Sequence, residues 1–198
     1  MPAQIIIINY TPEGRLSLLD ASTKQPLYHV KVSRQAPQME MIRLTGPSEG
    51  APNHSFPEDT NAYFESRVCT AQFKLTSLDV KLGIRKQLDV ELKRKKILST
   101  SYSFISPSLS VGSPVTLIWE TDSENNAVGN FKLSVEGEGK VIVRFRNEAF
   151  SNERVGTFEV ESDGLDQLVK DEAVISGLAM LAMNQSFHLA SMVMFKGS

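Results

Sequence analysis

The chain has 198 residues, of which 41% are hydrophobic and 22% charged, with a formal net charge of -2. That is ample apolar material for one sizeable core, and the near-neutral balance excludes a global attraction to nucleic acid or an anionic bilayer. Cys69 is the single cysteine, which excludes an internal disulfide framework and a thiolate-rich zinc site.

The first element, residues 4–10, is a β-branched run preceded by no basic residues and too short for a secretory signal. Pro2 stands where N-myristoylation needs glycine, and the last four residues form no prenylation box. The expectation is an intracellular, cytoplasmic protein, with the sequons at Asn9, Asn53 and Asn184 as chance matches. Further strands are expected at 15–19, after the turn residues Pro12 and Gly14, and at 27–32 and 39–44. Residues 45–62, with Gly46, Pro47, Gly50, Pro52 and Pro57, read as a loop-rich insertion. Strand signals then recur at 63–68, 71–75, 80–84, 88–92 and 97–105. After a loop at 106–114 they sharpen at 115–121, 128–135, 140–146 and 155–160.

About a dozen short strands with turn residues every ten or so positions point to an all-β sandwich or barrel, with residues 1–198 as one domain. The clearest hairpin joins Phe131, Leu133 and Val135 to Val141, Val143 and Phe145 through Glu136-Gly137-Glu138-Gly139. Its register aims Arg144 and Arg146 outward if Phe145 faces the core.

From residue 165 the period becomes helical, with Ser162 or Asp163 as candidate N-cap and Asp166 near the positive end of the dipole. Between Ala173 and Met183 only Ser176 interrupts a run of apolar or small residues, so this helix is apolar on every side and needs burial all round. The run is about half the 20 residues that span a bilayer, and polar Asn184 and Gln185 end it, so no transmembrane span is expected. A barrel closed around the helix buries every face and removes the sheet edges too. Val174, Ile175, Leu178, Met180, Leu181 and Met183 together contribute on the order of 10 kcal/mol by burial. Ala173, Gly177, Ala179 and Ala182 let strands approach the helix closely. The expected fold is mainly β: a closed antiparallel barrel of about twelve strands enclosing a hydrophobic C-terminal helix at about 165–184.

The ordered segments KQPLYHV, PVTLIWETD, NFKLSVEGEGKVIVRF, GTFEV and LDQLVKDEAVISGLAMLAM resemble the tubby-like superfamily. That group comprises tubby C-terminal domains, plant LURP-one-related proteins, phospholipid scramblases and uncharacterised fungal proteins; the fungal branch is the most similar, and residues 33–70 match poorly. The resemblance implies a twelve-stranded barrel threaded by its C-terminal helix. It does not fix a function: tubby domains bind phosphoinositides through surface basic residues, scramblases are linked to calcium-dependent lipid movement, and most plant and fungal members have no assigned activity.

The strongest local charge feature is Lys93-Arg94-Lys95-Lys96, with Arg85 and Lys86 shortly before it. Such a cluster on a barrel attracts anionic headgroups at about 1 kcal/mol per basic residue, serves as a nuclear localisation signal, or is simply a solvated turn after Leu92. Lys132, Arg144 and Arg146 on the outer face of the hairpin extend the patch or serve solubility. Six serines between Ser99 and Ser110 are candidate phosphorylation sites beside the cluster, or an ordinary alternating strand. Asp163, Asp166, Asp171 and Glu172 precede or open the helix where scramblases are acidic, but they lack calcium-loop spacing, and capping and the dipole account for them. His29, His54 and His188 are scattered, Cys69 reads as a small buried hydrophobe, and no nucleophile elbow, phosphate loop or paired metal-ligand motif occurs. Trp119 is expected to pack in the barrel.

These features make the expectation a non-catalytic binding module with no cofactor, no metal and no nucleic-acid partner. The leading partner is anionic phospholipid or phosphoinositide at a peripheral membrane surface. A protein-interaction scaffold and a scramblase-like membrane protein are the alternatives.

Overall fold

The structure, a computed structural model, describes residues 2–46, 64–74, 78–85, 88–96, 99–123, 129–148, 151, 153–161 and 164–184. Twelve strands run in chain order: β1 (Gln4–Tyr10), β2 (Arg15–Asp20), β3 (Pro26–Val32), β4 (Met39–Thr45), β5 (Phe64–Lys74), β6 (Asp79–Ile84), β7 (Leu88–Arg94), β8 (Tyr102–Ile105), β9 (Thr116–Thr121), β10 (Phe131–Val135), β11 (Val141–Asn147) and β12 (Arg154–Val160). Each pairs antiparallel with the next, and β1 closes on β12, so the sheet is a closed barrel. A helix, α1 (Gln167–Asn184), follows and fills it.

The alternation that makes the strands also sorts their side chains. Ile6, Ile8, Leu16, Leu18, Val30 and Leu82 point inward and are buried. Lys31, Glu40, Lys81, Glu91, Lys132 and Arg144 lie on the outer face. This is the reverse of a membrane barrel, whose outer face is an apolar band. Among the described residues no helix is long and apolar enough to cross a membrane.

Two strand assignments change. Residues 63–68 and 71–75, expected as separate strands, are one element, β5. Its pairing to β4 slips between Met41 and Ile42, leaving Val68 as an extra residue, and Val68 and Cys69 are buried side by side. That bulge breaks the alternation and imitates a gap between strands. Residues 97–105, expected as one strand, shorten to β8. Residues 97 and 98 lie outside the described residues, and Lys95 N donates to Ser101 O at 3.0 Å and Ser99 N to Lys96 O at 2.9 Å before the strand begins at Tyr102. The insertion expected at 45–62 lies almost wholly outside the described residues.

The N-cap of α1 is Asp166, whose Oδ1 accepts the Leu168 N–H at 2.7 Å. Ser162 and Asp163, the expected caps, lie outside the described residues. Every residue from Asp171 to Ala182 is buried, so Val174, Ile175, Leu178, Met180 and Leu181 form the core as expected; Met183 is half-buried at its edge. Trp119, fully buried, donates its ring N–H to Ser176 Oγ at 2.9 Å, and Phe158 packs edge-on against Phe145 with centroids 5.5 Å apart. The barrel interior is therefore occupied by side chains, and the outer strand faces and turns are the surfaces left for a ligand.

Candidate functional site

The basic cluster lies where β7 ends. Lys93 and Arg94 are its last two residues, paired with Ser103 and Tyr102 of β8, while Lys95 and Lys96 enter the turn. Lys93, Lys95 and Lys96 are exposed. Arg94 is half-buried: its Nε donates to Ser99 O at 2.6 Å and its guanidinium carbon lies 6.0 Å from the Tyr102 ring centroid. The arginine thus ties down the turn, and the three lysines are displayed.

Two carboxylates reach these lysines. Glu91 meets Lys93 at 3.0 Å and Lys74 at 2.8 Å, and Glu136 of the β10–β11 turn meets Lys95 at 2.9 Å. Hydrogen bonds from Lys74 and then Lys93 lower the Glu91 carboxyl to about 2, so it stays ionised in neutral solution. Lys96 makes no ion pair among the described residues. Exposed pairs of this kind hold their partners by only about 0–1 kcal/mol, so all three lysines remain available to a stronger anion.

The other basic residues do not join this cluster. Arg85 follows β6, at the opposite end of β7, and a seven-residue strand is about 20 Å long. It donates to Ser108 Oγ at 2.7 Å, while Lys86 lies outside the described residues. Lys132 is three strands away on β10 and faces Glu120 at 3.5 Å. Arg144 and Arg146 do point away from the core, as Phe145 is fully buried, but both turn to the buried carboxylate of Asp122, at 2.9 and 2.7 Å. Arg144 also meets Glu161 and Arg146 meets Glu159. The hairpin strip is a structural ion network, and the expected patch contracts to the β7–β8 turn.

A second polar group surrounds the helix base. Asp171 and Glu172, attributed above to capping and the dipole, sit beyond the first turn and are fully buried. Asp171 accepts from Tyr28 Oη at 2.9 Å, from Gln167 Nε2 at 3.2 Å and from the Arg43 guanidinium. Glu172 accepts from Ser106 Oγ at 2.5 Å, from Ser108 N at 3.1 Å and from the Ser108 hydroxyl. These acids bolt the helix to the wall. Their partners come from β3, β4 and the loop after β8, which no local pattern in the helix sequence could identify.

Cys69 is buried, and burial together with the charges of Asp171 and Glu172 pushes its thiol far above its usual range. The Tyr28 hydroxyl is likewise pushed up by burial and by Asp171. No group of His, Cys, Asp and Glu able to hold a metal occurs among the described residues. His29 lies in β3, and His54 and His188 fall outside the described residues. No protein-family model, curated protein or solved structure matches this chain, so the reading of the site rests on its own residues.

Proposed function

We infer that the protein is a non-catalytic binding module that docks on anionic phospholipid through the β7–β8 turn. The observation that carries this reading is the display of Lys93, Lys95 and Lys96 together where β7 ends and its turn begins, on a barrel whose interior is full. Each lysine near an anionic leaflet contributes about 1 kcal/mol, so three give an attraction of about 3 kcal/mol, reversible and salt-sensitive. The likeness to the tubby-like superfamily supports the same reading, because tubby domains bind phosphoinositides through surface basic residues. The scramblase-like alternative requires α1 to insert in a membrane, whereas here α1 is the core of the barrel.

Co-sedimentation with vesicles of neutral phospholipid, with and without added phosphoinositide or phosphatidylserine, tests the assignment. Wild type pellets with the anionic vesicles and is released as salt rises. The triple change of Lys93, Lys95 and Lys96 to alanine abolishes pelleting, whereas Lys132→Ala leaves it intact. Equal pelleting of wild type and triple variant would sink the site.

A further inference from the structure

The barrel has one weak seam. Every other pair of neighbouring strands is matched at four to seven positions, but β7 and β8 are matched at only two, Lys93 with Ser103 and Arg94 with Tyr102. Both strands continue past the break. On its other side β7 stays paired to β6 from Leu88 to Leu92, and β8 stays paired to β9 down to Ile105.

The direction of the main-chain groups follows from the bonds that are made. Lys95 N donates across to Ser101 O, so the odd-numbered residues of β7 turn their N–H and C=O toward β8. Ser106 N donates to Val115 O, so Ile105 faces β7 in turn. Among the described residues, Asp89, Glu91 and Ile105 thus present main-chain groups to the seam with no ladder partner. Between them lies a groove of about 550 Å³, lined among others by Leu88, Val90, buried Phe104 and Ile105. Leu88 has the inward parity of Val90 and Leu92 yet is 46% exposed, because the missing pairing uncovers it. Open strand edges of this kind are normally covered or paired.

We propose that the β7–β8 seam is a strand-addition site, in which an extended segment of a partner protein, apolar and basic at alternating positions, pairs with the β7 edge at Asp89 and Glu91. The stretch from Leu88 to Leu92, paired to β6 but not to β8, is about 17 Å long, the length of an ordinary strand. Inward side chains of the added strand cover Leu88 and Val90. Outward ones lie directly opposite the exposed carboxylates of Asp89 and Glu91, which calls for Lys or Arg there. The lysines that now hold those acids sit farther from the edge: Lys81 on β6, Lys74 on β5, and Lys93 at the closed end of the seam. A second copy of this chain is the poorer occupant, since two β7 edges paired about Val90 set Asp89 against Glu91. The site adjoins the lysine turn and shares Lys93 with it, but it rests on the open β7 edge and holds whether or not the protein binds lipid.

The probe is a labelled nine-residue peptide of alternating valine and lysine, set against a variant with a central proline and one with glutamate for lysine. Fluorescence anisotropy reads binding to the full chain, and amide hydrogen exchange reads the seam. Expected are rapid exchange at Asp89, Glu91 and Ile105 in the free protein, slowed at least tenfold by saturating Val/Lys peptide, and binding at least tenfold weaker for the proline variant. The double change of Asp89→Lys and Glu91→Lys reverses the preference to the glutamate peptide, with a retained cooperative melting transition as the check that the variant folds. Slow exchange in the free protein, no binding of the Val/Lys peptide, binding blind to the charge reversal, or self-association through this edge in sedimentation each overturns the proposal.

Discussion

Gly177 sits where α1 meets two aromatic rings of the wall. A methyl group there would lie 2.8 Å from Phe158 Cζ and 2.9 Å from Trp119 Cζ2. Two effects of a Gly177→Ala change oppose each other. Alanine improves helix propensity by about 1 kcal/mol, while overpacking a filled core costs about 1–3 kcal/mol. Neither ring has an easy retreat, because Trp119 is tethered to Ser176 and Phe158 is wedged against Phe145. The expected outcome is a net loss of about 1 kcal/mol, read as a lower urea midpoint at unchanged slope. A raised midpoint would show that the rings are free to give way. The need for a small residue here was legible in the sequence, since a helix apolar all round must be approached closely on every side. Which atoms approach it was not.

At the scale of the element, α1 is held by more than its apolar surface. Asp171 collects Tyr28, Gln167 and Arg43, and Glu172 collects Ser106 and Ser108. Removing a buried carboxylate leaves its donors without partners, which costs more than the bonds themselves contributed. Asp171→Ala is therefore expected to destabilise by about 2–4 kcal/mol, tempered by the partial exposure of Arg43, with Asp171→Asn intermediate because its amide oxygen still accepts from Tyr28. Chemical denaturation checks both, and a loss under about 0.5 kcal/mol for Asp171→Ala would remove the anchoring role. An acid near a helix start looks the same in sequence whether it faces the dipole or a half-buried arginine more than a hundred positions away. The same limit explains β5, whose bulge at Val68 counterfeits a chain break, and the hairpin arginines, whose outward parity was legible while Asp122 as their shared partner was not.

For the whole molecule, the burial argument had one good solution, because a helix with no polar face has nowhere to lie except inside a closed sheet. The weak seam was beyond reach of the sequence, since pairing depends on main-chain register, which side-chain types specify poorly at a short strand such as β8. Closure has a consequence for stability. A helix that follows the last strand is not threaded into a finished barrel; β1 must close on β12 with α1 already in place. Helix docking and barrel closure are then one cooperative event around one core. Trp119, the only tryptophan, lies in the wall and is bonded to the helix, so its fluorescence reports the contact between them. Ellipticity at 222 nm reports α1 against the strand background. The two transitions are expected to coincide in urea, with one midpoint and one slope. Folding should take milliseconds to seconds, because β1–β12 pairing joins residues distant in the chain. If instead helical ellipticity is lost before Trp119 becomes exposed, α1 is a detachable lining, and the barrel stands without its plug.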